Sequence, residues 1–199
     1  MLLIFMFDFP KGRVAFLVTS NIHKYNEVRR VLSECKIATA MLKKIGAVEI
    51  QDDSVENVAK ASAVDAVKKC NLPIVVEDAG LFIEALKNFP GPYSSYVYRT
   101  IGNDGVLNLM ENITNRNAYF KSIVAFLDPN MDEPLCFSGK VKGEIVEGKL
   151  GSRGFGFDPI FKPLNSLKTF AEMTVGEKNQ CSHRALAFRK FAEWYTVSF

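Results

Sequence analysis

The sequence predicts an α/β protein with a mixed sheet, a single domain whose two lobes enclose a central cleft. Three observations carry that prediction. Short apolar runs alternate with helical periodicities through the first half of the chain. A long antiparallel hairpin pattern enters afterwards, so αβ units come first and a meander is inserted behind them. The composition is that of a globular chain, 48% hydrophobic, 24% charged and 12% aromatic. At 199 residues it can bury roughly 70% of its unfolded surface. No repeat, low-complexity tract or linker interrupts the pattern.

Met1 to Phe7 is apolar but too short to span a membrane. Asp8 and Pro10 interrupt it, and it has neither a basic segment before it nor a small-residue cleavage site after it. Residues 1–12 read as an N-terminal extension and residues 13–199 as the domain. The run Val14–Val18 is a short buried strand. Thr19, Ser20 and Asn21 then offer N-cap groups to a helix over residues 22–35, with Tyr25, Val28, Leu32 and Cys35 as its buried stripe. Strands over residues 36–42 and 48–50 follow. The next helix covers residues 54–70, capped by Asp53 or Ser54, with Val55, Val58, Ser62 and Ala66 on one face. Ile74, Val75 and Val76 form a buried strand that ends in Glu77-Asp78-Ala79-Gly80.

A rigid Pro/Gly loop at residues 88–92 leads into helices over residues 94–100 and 104–112. Residues 118–127 and 133–141 form the hairpin, turned at Asp128-Pro129-Asn130, and residues 143–147 add a third strand. The last helix opens within residues 180–184 with Ser182 as N-cap. Ala185, Phe188, Ala192 and Tyr195, with Phe191 and Trp194 nearby, give it a broad apolar face.

Two helix starts place cations where a helix favours anions. His23 and Lys24 occupy one first turn, and His183 and Arg184 the other, with Lys178 just upstream; these are the chain's two histidines. Free N–H groups make such a start welcoming to an anion, and phosphate is the usual guest. Solvated surface cations are the competing reading, but the recurrence favours one shared anionic ligand. The net charge of +3 suits a small anion and is too weak to argue for nucleic acid.

Glu77 and Asp78 are strand neighbours, which face opposite sides, so one of them faces the cleft. A carboxylate there suits Mg²⁺, which takes one or two carboxylates plus water and phosphate oxygens. Glu49 is a candidate second ligand, and an ordinary acidic turn before Gly80 is the alternative. Residues 143–149 match the first seven positions of a P-loop, but Leu150 stands where the hydroxyl belongs, so the match is rejected. Gly154-Phe155-Gly156 fails as a dinucleotide fingerprint because Pro159 replaces the third glycine. Its glycines still allow close approach, Phe155 or Phe157 can stack on a base, and Asp158 can accept a hydrogen bond. A loop that merely packs on the core is the alternative. Cys35, Cys70, Cys136 and Cys181 have no C-x-x-C spacing and read as reduced, in a cytoplasmic protein without structural zinc.

Taken together, these segments resemble the inosine triphosphate pyrophosphatase family. The pattern runs through Thr19-Ser20-Asn21, Lys24 and Glu27, then Glu77-Asp78-Ala79-Gly80-Leu81 and Phe89-Pro90-Gly91-Pro92-Tyr93-Ser94. It continues through Gly154-Phe155-Gly156-Phe157-Asp158-Pro159, Thr169-Phe170-Ala171-Glu172, Glu177-Lys178-Asn179 and Ser182-His183-Arg184. Each motif is weak alone; all occur in family order from Arg13 onward.

The resemblance implies an elongated α/β fold, a homodimer, and Mg²⁺-dependent release of pyrophosphate from non-standard purine nucleoside triphosphates such as ITP, dITP and XTP. With the weak net charge and the short apolar N-terminus, no nucleic-acid or membrane partner is expected. By position, Thr19, Ser20, Asn21, Ile22, His23 and Lys24 would hold the triphosphate. Glu49 and Asp78 would hold the metal, and Asp78 would also activate water. Ala79 and Ser95 would line the substrate site. Phe155, Gly156, Phe157 and Asp158, with Lys178, His183 and Arg184, would surround the purine.

Ser20 and Ala79 depart from the commoner family residues, and Lys60 stands one position early for a lysine often found on its helix, a rotation of about 100°. A Maf-like pyrophosphatase acting on other nucleotides, or a non-catalytic nucleotide- or RNA-binding module, are the competing functions.

Overall fold

The computed structural model of the protein describes residues 13–45 and 50–198. The extension over residues 1–12, Glu49 and most of the strand expected at residues 48–50 lie outside them.

The first apolar run forms β1 (Val14–Val18), and Asn21 caps α1 (Ile22–Glu34) directly after it. β2 (Ala38–Leu42) returns parallel to β1, with Val14 opposite Ala38. α2 (Val55–Cys70) is capped by Ser54, whose side chain accepts from the Asn57 N–H. Its buried residues, Val55, Val58, Ala59, Ser62, Ala63 and Ala66, recur at helical spacing.

β3 (Ile74–Ile83) is longer than the sequence predicts. It runs through Glu77 and Asp78 instead of ending there, because β5 (Asn117–Leu127) pairs with it antiparallel along its whole length. The acidic-turn alternative is thereby excluded. β1 pairs with β3 only at Ile74 and Val75, so the two acids stand just beyond the parallel half of the sheet while remaining on a rigid ladder.

β4 (Pro90–Gly91) pairs back onto Leu81 and Phe82 and leads into α3 (Ser94–Thr100) and α4 (Gly102–Leu109). β6 (Leu135–Ile145) closes the expected hairpin with β5. Residues 143–145 are no separate strand: the register with β5 continues unbroken to Asn117 opposite Glu144. β7 (Phe161–Pro163) forms the edge, giving the order β2-β1-β3-β5-β6-β7, parallel at one end and antiparallel beyond.

The C-terminal region holds two helices where the sequence predicts one. α5 (Val175–Cys181) ends at Ser182, which is extended, and α6 (His183–Ser198) begins directly after it. Ser182 Oγ accepts from the Ala185 N–H at 3.2 Å, so it does cap the last helix.

Three cores hold these layers. On one sheet face Val28, Val31 and Leu32 of α1 meet Phe188, Phe191 and Tyr195 of α6 over Leu17, Val75 and Phe126. On the other, Val55, Ala59, Ala63 and Ala66 of α2 cover Ile74, Val76, Ile123 and Ala125. The second lobe has its own core, with Leu81, Ile83, Val97, Val106, Phe120, Phe161 and Phe170. α6 approaches the sheet closely at Gly139, where an added Cβ would stand 2.1 Å from the His183 carbonyl oxygen. Among the described residues no helix is long and apolar enough to cross a membrane.

Candidate active site

β1 stands between two parallel neighbours, and its flanking connections leave to opposite faces, α1 toward α6 and α2 to the other side. Such a switch point opens a crevice beyond the carboxyl ends of the strands. A cleft of about 920 Å³ lies there, in the range of small-ligand sites.

The β1–α1 turn forms one wall. Asn21 Oδ1 accepts from the N–H groups of His23 at 2.9 Å and Lys24 at 3.2 Å, and Thr19 Oγ1 accepts from the Asn21 N–H. Two of the N–H groups that the sequence leaves for an anion are therefore engaged by the helix's own cap. Thr19, Ser20, Asn21, His23 and Lys24 line the cleft; Ile22 is 47% exposed and does not.

Glu77 and Asp78 have different fates. Glu77 Oε1 accepts from Ser122 Oγ at 2.6 Å and meets Arg184 Nη2 at 3.2 Å, while Oε2 meets Lys24 Nζ at 3.0 Å. Burial alone would push its carboxyl up, but Arg184 and Lys24 outweigh that and hold it below the ordinary carboxylate range. Asp78, with its side chain toward the opposite face, lines the cleft beside Ala79, Val58, Ala59 and Ser62. Both acids line the cleft, Glu77 tied to Ser122, Arg184 and Lys24 and Asp78 on the α2 side.

Behind the cleft runs an alternating chain of charges: Lys24, Glu77, Arg184, Glu27, Lys178, Asp158. Arg184 Nη1 donates to Glu27 Oε2 at 2.6 Å. Lys178 Nζ bridges Glu27 Oε1 at 2.8 Å and Asp158 Oδ2 at 2.6 Å. Asn179 Nδ2 adds a bond to the Glu27 carbonyl at 3.0 Å. Lys178 and Arg184 are only 2% and 3% exposed. Burial opposes the charge on Glu27, but Arg184 and Lys178 prevail and hold its carboxyl low.

This corrects the reading of the α6 start as a pair of free cations. His183 is buried against Phe120, ring centroids 4.5 Å apart and nearly parallel. Burial, then repulsion from Arg184 and Lys178, pushes its pKa well below 6.5, leaving a neutral imidazole. Arg184 is charged but held between two carboxylates. Lys178, expected around the purine, lies beneath the cleft and outside its lining. Two buried atoms here, His183 Nδ1 and Arg184 Nε, have no hydrogen-bond partner among the described residues. Arg184 Nε is a spare donor, and His183 Nδ1 donates or accepts according to the tautomer.

Phe155 is the aromatic wall. It stacks on His23 at 5.5 Å, with the Arg184 guanidinium 5.3 Å from its centroid. Phe157, the other candidate, is buried in the second core with Tyr98 against it edge-on. Asp158 Oδ2 accepts from the Phe155 N–H at 2.9 Å and so shapes the loop. Gly154 has φ +72°, and a Cβ there would collide with that same carboxylate oxygen.

The opposite wall comes from the second lobe. Ser94 Oγ accepts from the Leu81 N–H at 2.8 Å and donates to the Gly91 carbonyl at 2.7 Å, fixing α3 to β3. Ser95, Tyr96, Tyr98 and Arg99 line the cleft from there, and Lys43 and Asp52 line it from the first lobe. Sequence reasoning gave no role to Glu27, Ser122, Lys43 or Arg99. Glu27 alone carried a signal, an acid beside Val28 on a buried helical stripe.

The donor set also bears on a metal. Among the described residues no three of His, Cys, Asp or Glu converge on one point. An ion whose shell is completed by water and phosphate oxygens needs no such cage, and a cleft-lining Asp78 is the hard oxygen donor that Mg²⁺ takes.

Fold and cleft define an open-sheet α/β protein with its ligand crevice at a topological switch point. The chain belongs to the Ham1 family, whose profile matches residues 15–194. It is 46% identical over 186 residues to the dITP/XTP pyrophosphatase of Hyperthermus butylicus, covering 92% of this chain and 95% of that protein. The dITP/XTP pyrophosphatase of Ignicoccus hospitalis is 48% identical over 183 residues, with 92% and 96% covered. Among solved structures, a HAM1 protein from Coxiella burnetii superposes with a TM-score of 0.83 at 28% identity, covering 94% of this chain and all of that one.

Proposed function

We propose that the protein hydrolyses non-standard purine nucleoside triphosphates, ITP, dITP and XTP among them, to the monophosphate and pyrophosphate. The observation that carries this reading is the pair of strand acids that line the cleft, Glu77 tied to Lys24, Arg184 and Ser122, and Asp78 turned to the opposite face beside Ala59 and Ser62. The names of the relatives, dITP/XTP pyrophosphatases, supply the substrate class.

In this reading Asp78 accepts a proton from a water poised against the α-phosphorus. The new P–O bond forms there, the bond to the bridging oxygen breaks, and pyrophosphate departs. Thr19, Ser20 and Lys24 hold the phosphates; the Lys24 ammonium has three donors, of which the Glu77 carbonyl and carboxylate take two. Mg²⁺, held by Asp78 and by Glu49, would neutralise phosphate charge and acidify bound water.

The purine lies against Phe155, with the cleft-lining Arg184 guanidinium beside it as donor to its 6-oxo group. Adenine would set its 6-amino group against that donor, a mismatch worth about 1–3 kcal/mol per unsatisfied group. The same reading takes a homodimer acting on the cytoplasmic nucleotide pool; sedimentation of the purified chain tests the dimer.

Asp78→Asn tests the chemistry. Turnover of dITP is expected to fall by at least about 100-fold while dITP still binds. Retained turnover would remove Asp78 from the mechanism.

A further inference from the structure

The buried charges of the cleft cancel, which leaves little positive charge for a polyanion. Lys24, Arg184 and Lys178 are matched by Glu77, Glu27 and Asp158. Arg184 and Lys178 cannot turn to a ligand without uncovering a buried carboxylate, which is strongly unfavourable. Lys24 keeps one donor, but its charge is already answered by Glu77. The α1 start has spent two N–H groups on its own cap. α2 presents only Val58, Ala59 and Ser62 to the cleft.

Besides the neutral His183, three basic residues that line the cleft have no ion pair among the described residues: His23, Lys43 and Arg99. The His23 ring is stacked on Phe155. Lys43 lines the cleft from the first lobe, the same side as Lys24. Arg99 stands across the cleft from them, on the lobe that faces the β1–α1 turn. It is exposed, and its one hydrogen bond, Nε to the Ser95 carbonyl at 3.3 Å, folds it back along α3. That end of α3 is fastened to β3 at Leu81, three residues beyond Asp78. Both Nη groups are unengaged among the described residues, and a guanidinium fork matches phosphate oxygens two at a time.

We propose that Arg99 binds the phosphate chain of the substrate from the second lobe, as that lobe's unneutralised cation in the cleft. The inference rests on the triphosphate reading above. It assigns phosphate binding to a residue outside the β1–α1 turn and makes the grip two-sided: hydroxyls and Lys24 on one wall, a guanidinium on the other.

Calorimetry with inorganic tripolyphosphate tests this without needing turnover. Arg99→Ala is expected to weaken binding about tenfold, the scale of one lost charge-assisted pair, and Arg99→Lys to recover part of it because the charge remains and the fork is lost. In turnover assays Arg99→Ala should raise the KM for dITP while preserving its preference over dATP. Arg99 is exposed, so the variant is expected to fold as the parent does. Unchanged tripolyphosphate affinity in Arg99→Ala would overturn the proposal, as would no tripolyphosphate binding by the unaltered protein. If the unaltered protein bound tripolyphosphate through Arg99 but released no pyrophosphate from dITP or XTP, the function reading would fail and the phosphate site would stand.

Discussion

Glu27 shows how much rests on one buried carboxylate. It answers Lys178 and Arg184 at once, and neither cation has water to turn to. Glu27→Gln keeps the shape and removes the charge. It is expected to destabilise the protein by about 3–5 kcal/mol, because breaking a buried pair leaves charge uncompensated. Urea unfolding at neutral pH measures it, and a change below about 1 kcal/mol would mean that the charge chain is dispensable. The same residues set the pH profile. His183 has a folded pKa well below its ordinary 6.5, so on acidification the unfolded chain binds its proton first and stability declines below about pH 6.5. Glu27 and Glu77 are held below their ordinary 4.5, so their contribution is complete above that value and is lost as pH falls further. Unfolding free energy should therefore decline in two stages. In His183→Asn the first stage should flatten, and an unchanged slope between pH 6.5 and 5 would contradict the neutral buried imidazole.

At the scale of elements, local signals decided what was legible. Val14–Val18 and Ser94–Thr100 are legible with the bounds they have in the fold, because an apolar run and a Pro/Gly boundary mark their ends. The full length of β3 is not legible, because nothing local to Glu77 and Asp78 announces that β5 lies alongside them; a distant partner makes that a strand. α5 does carry a local signal, since Thr174 and Glu177 form a capping box, with the Glu177 side chain accepting from the Thr174 N–H at 2.7 Å. That signal was present in the sequence. The site was legible where residue types are chemically loaded, as at Asp78 and Phe155. Pairings such as Arg184 with Glu27 were not, since they join residues 157 apart. α6 also supplies an element-scale prediction. Gly139→Ala would drive a Cβ into the backbone at His183 and Ala187, lifting the helix start that carries His183 and Arg184. A loss of about 1–3 kcal/mol is expected, with a lower kcat/KM for dITP. A variant of unaltered stability and activity would mean that this close approach is not needed.

Over the whole molecule, the sheet switches from parallel to antiparallel pairing beside β3, and the cleft lies where the first lobe meets the second. The first lobe brings the β1–α1 turn, the second brings Phe155 and α3, and the buried charge chain ties Phe155 to α1 and α6. A site assembled from both lobes should tolerate exchange of surface residues and fail when the charges between them are unbalanced. The central claim is the substrate class. Pyrophosphate release from ITP, dITP and XTP, compared with ATP and GTP in the presence and absence of Mg²⁺, tests it most directly. The account predicts metal-dependent release from the first three that far exceeds release from ATP, whose 6-amino group would meet the Arg184 donor. Equal release from ATP, or none from any of the five, would contradict it.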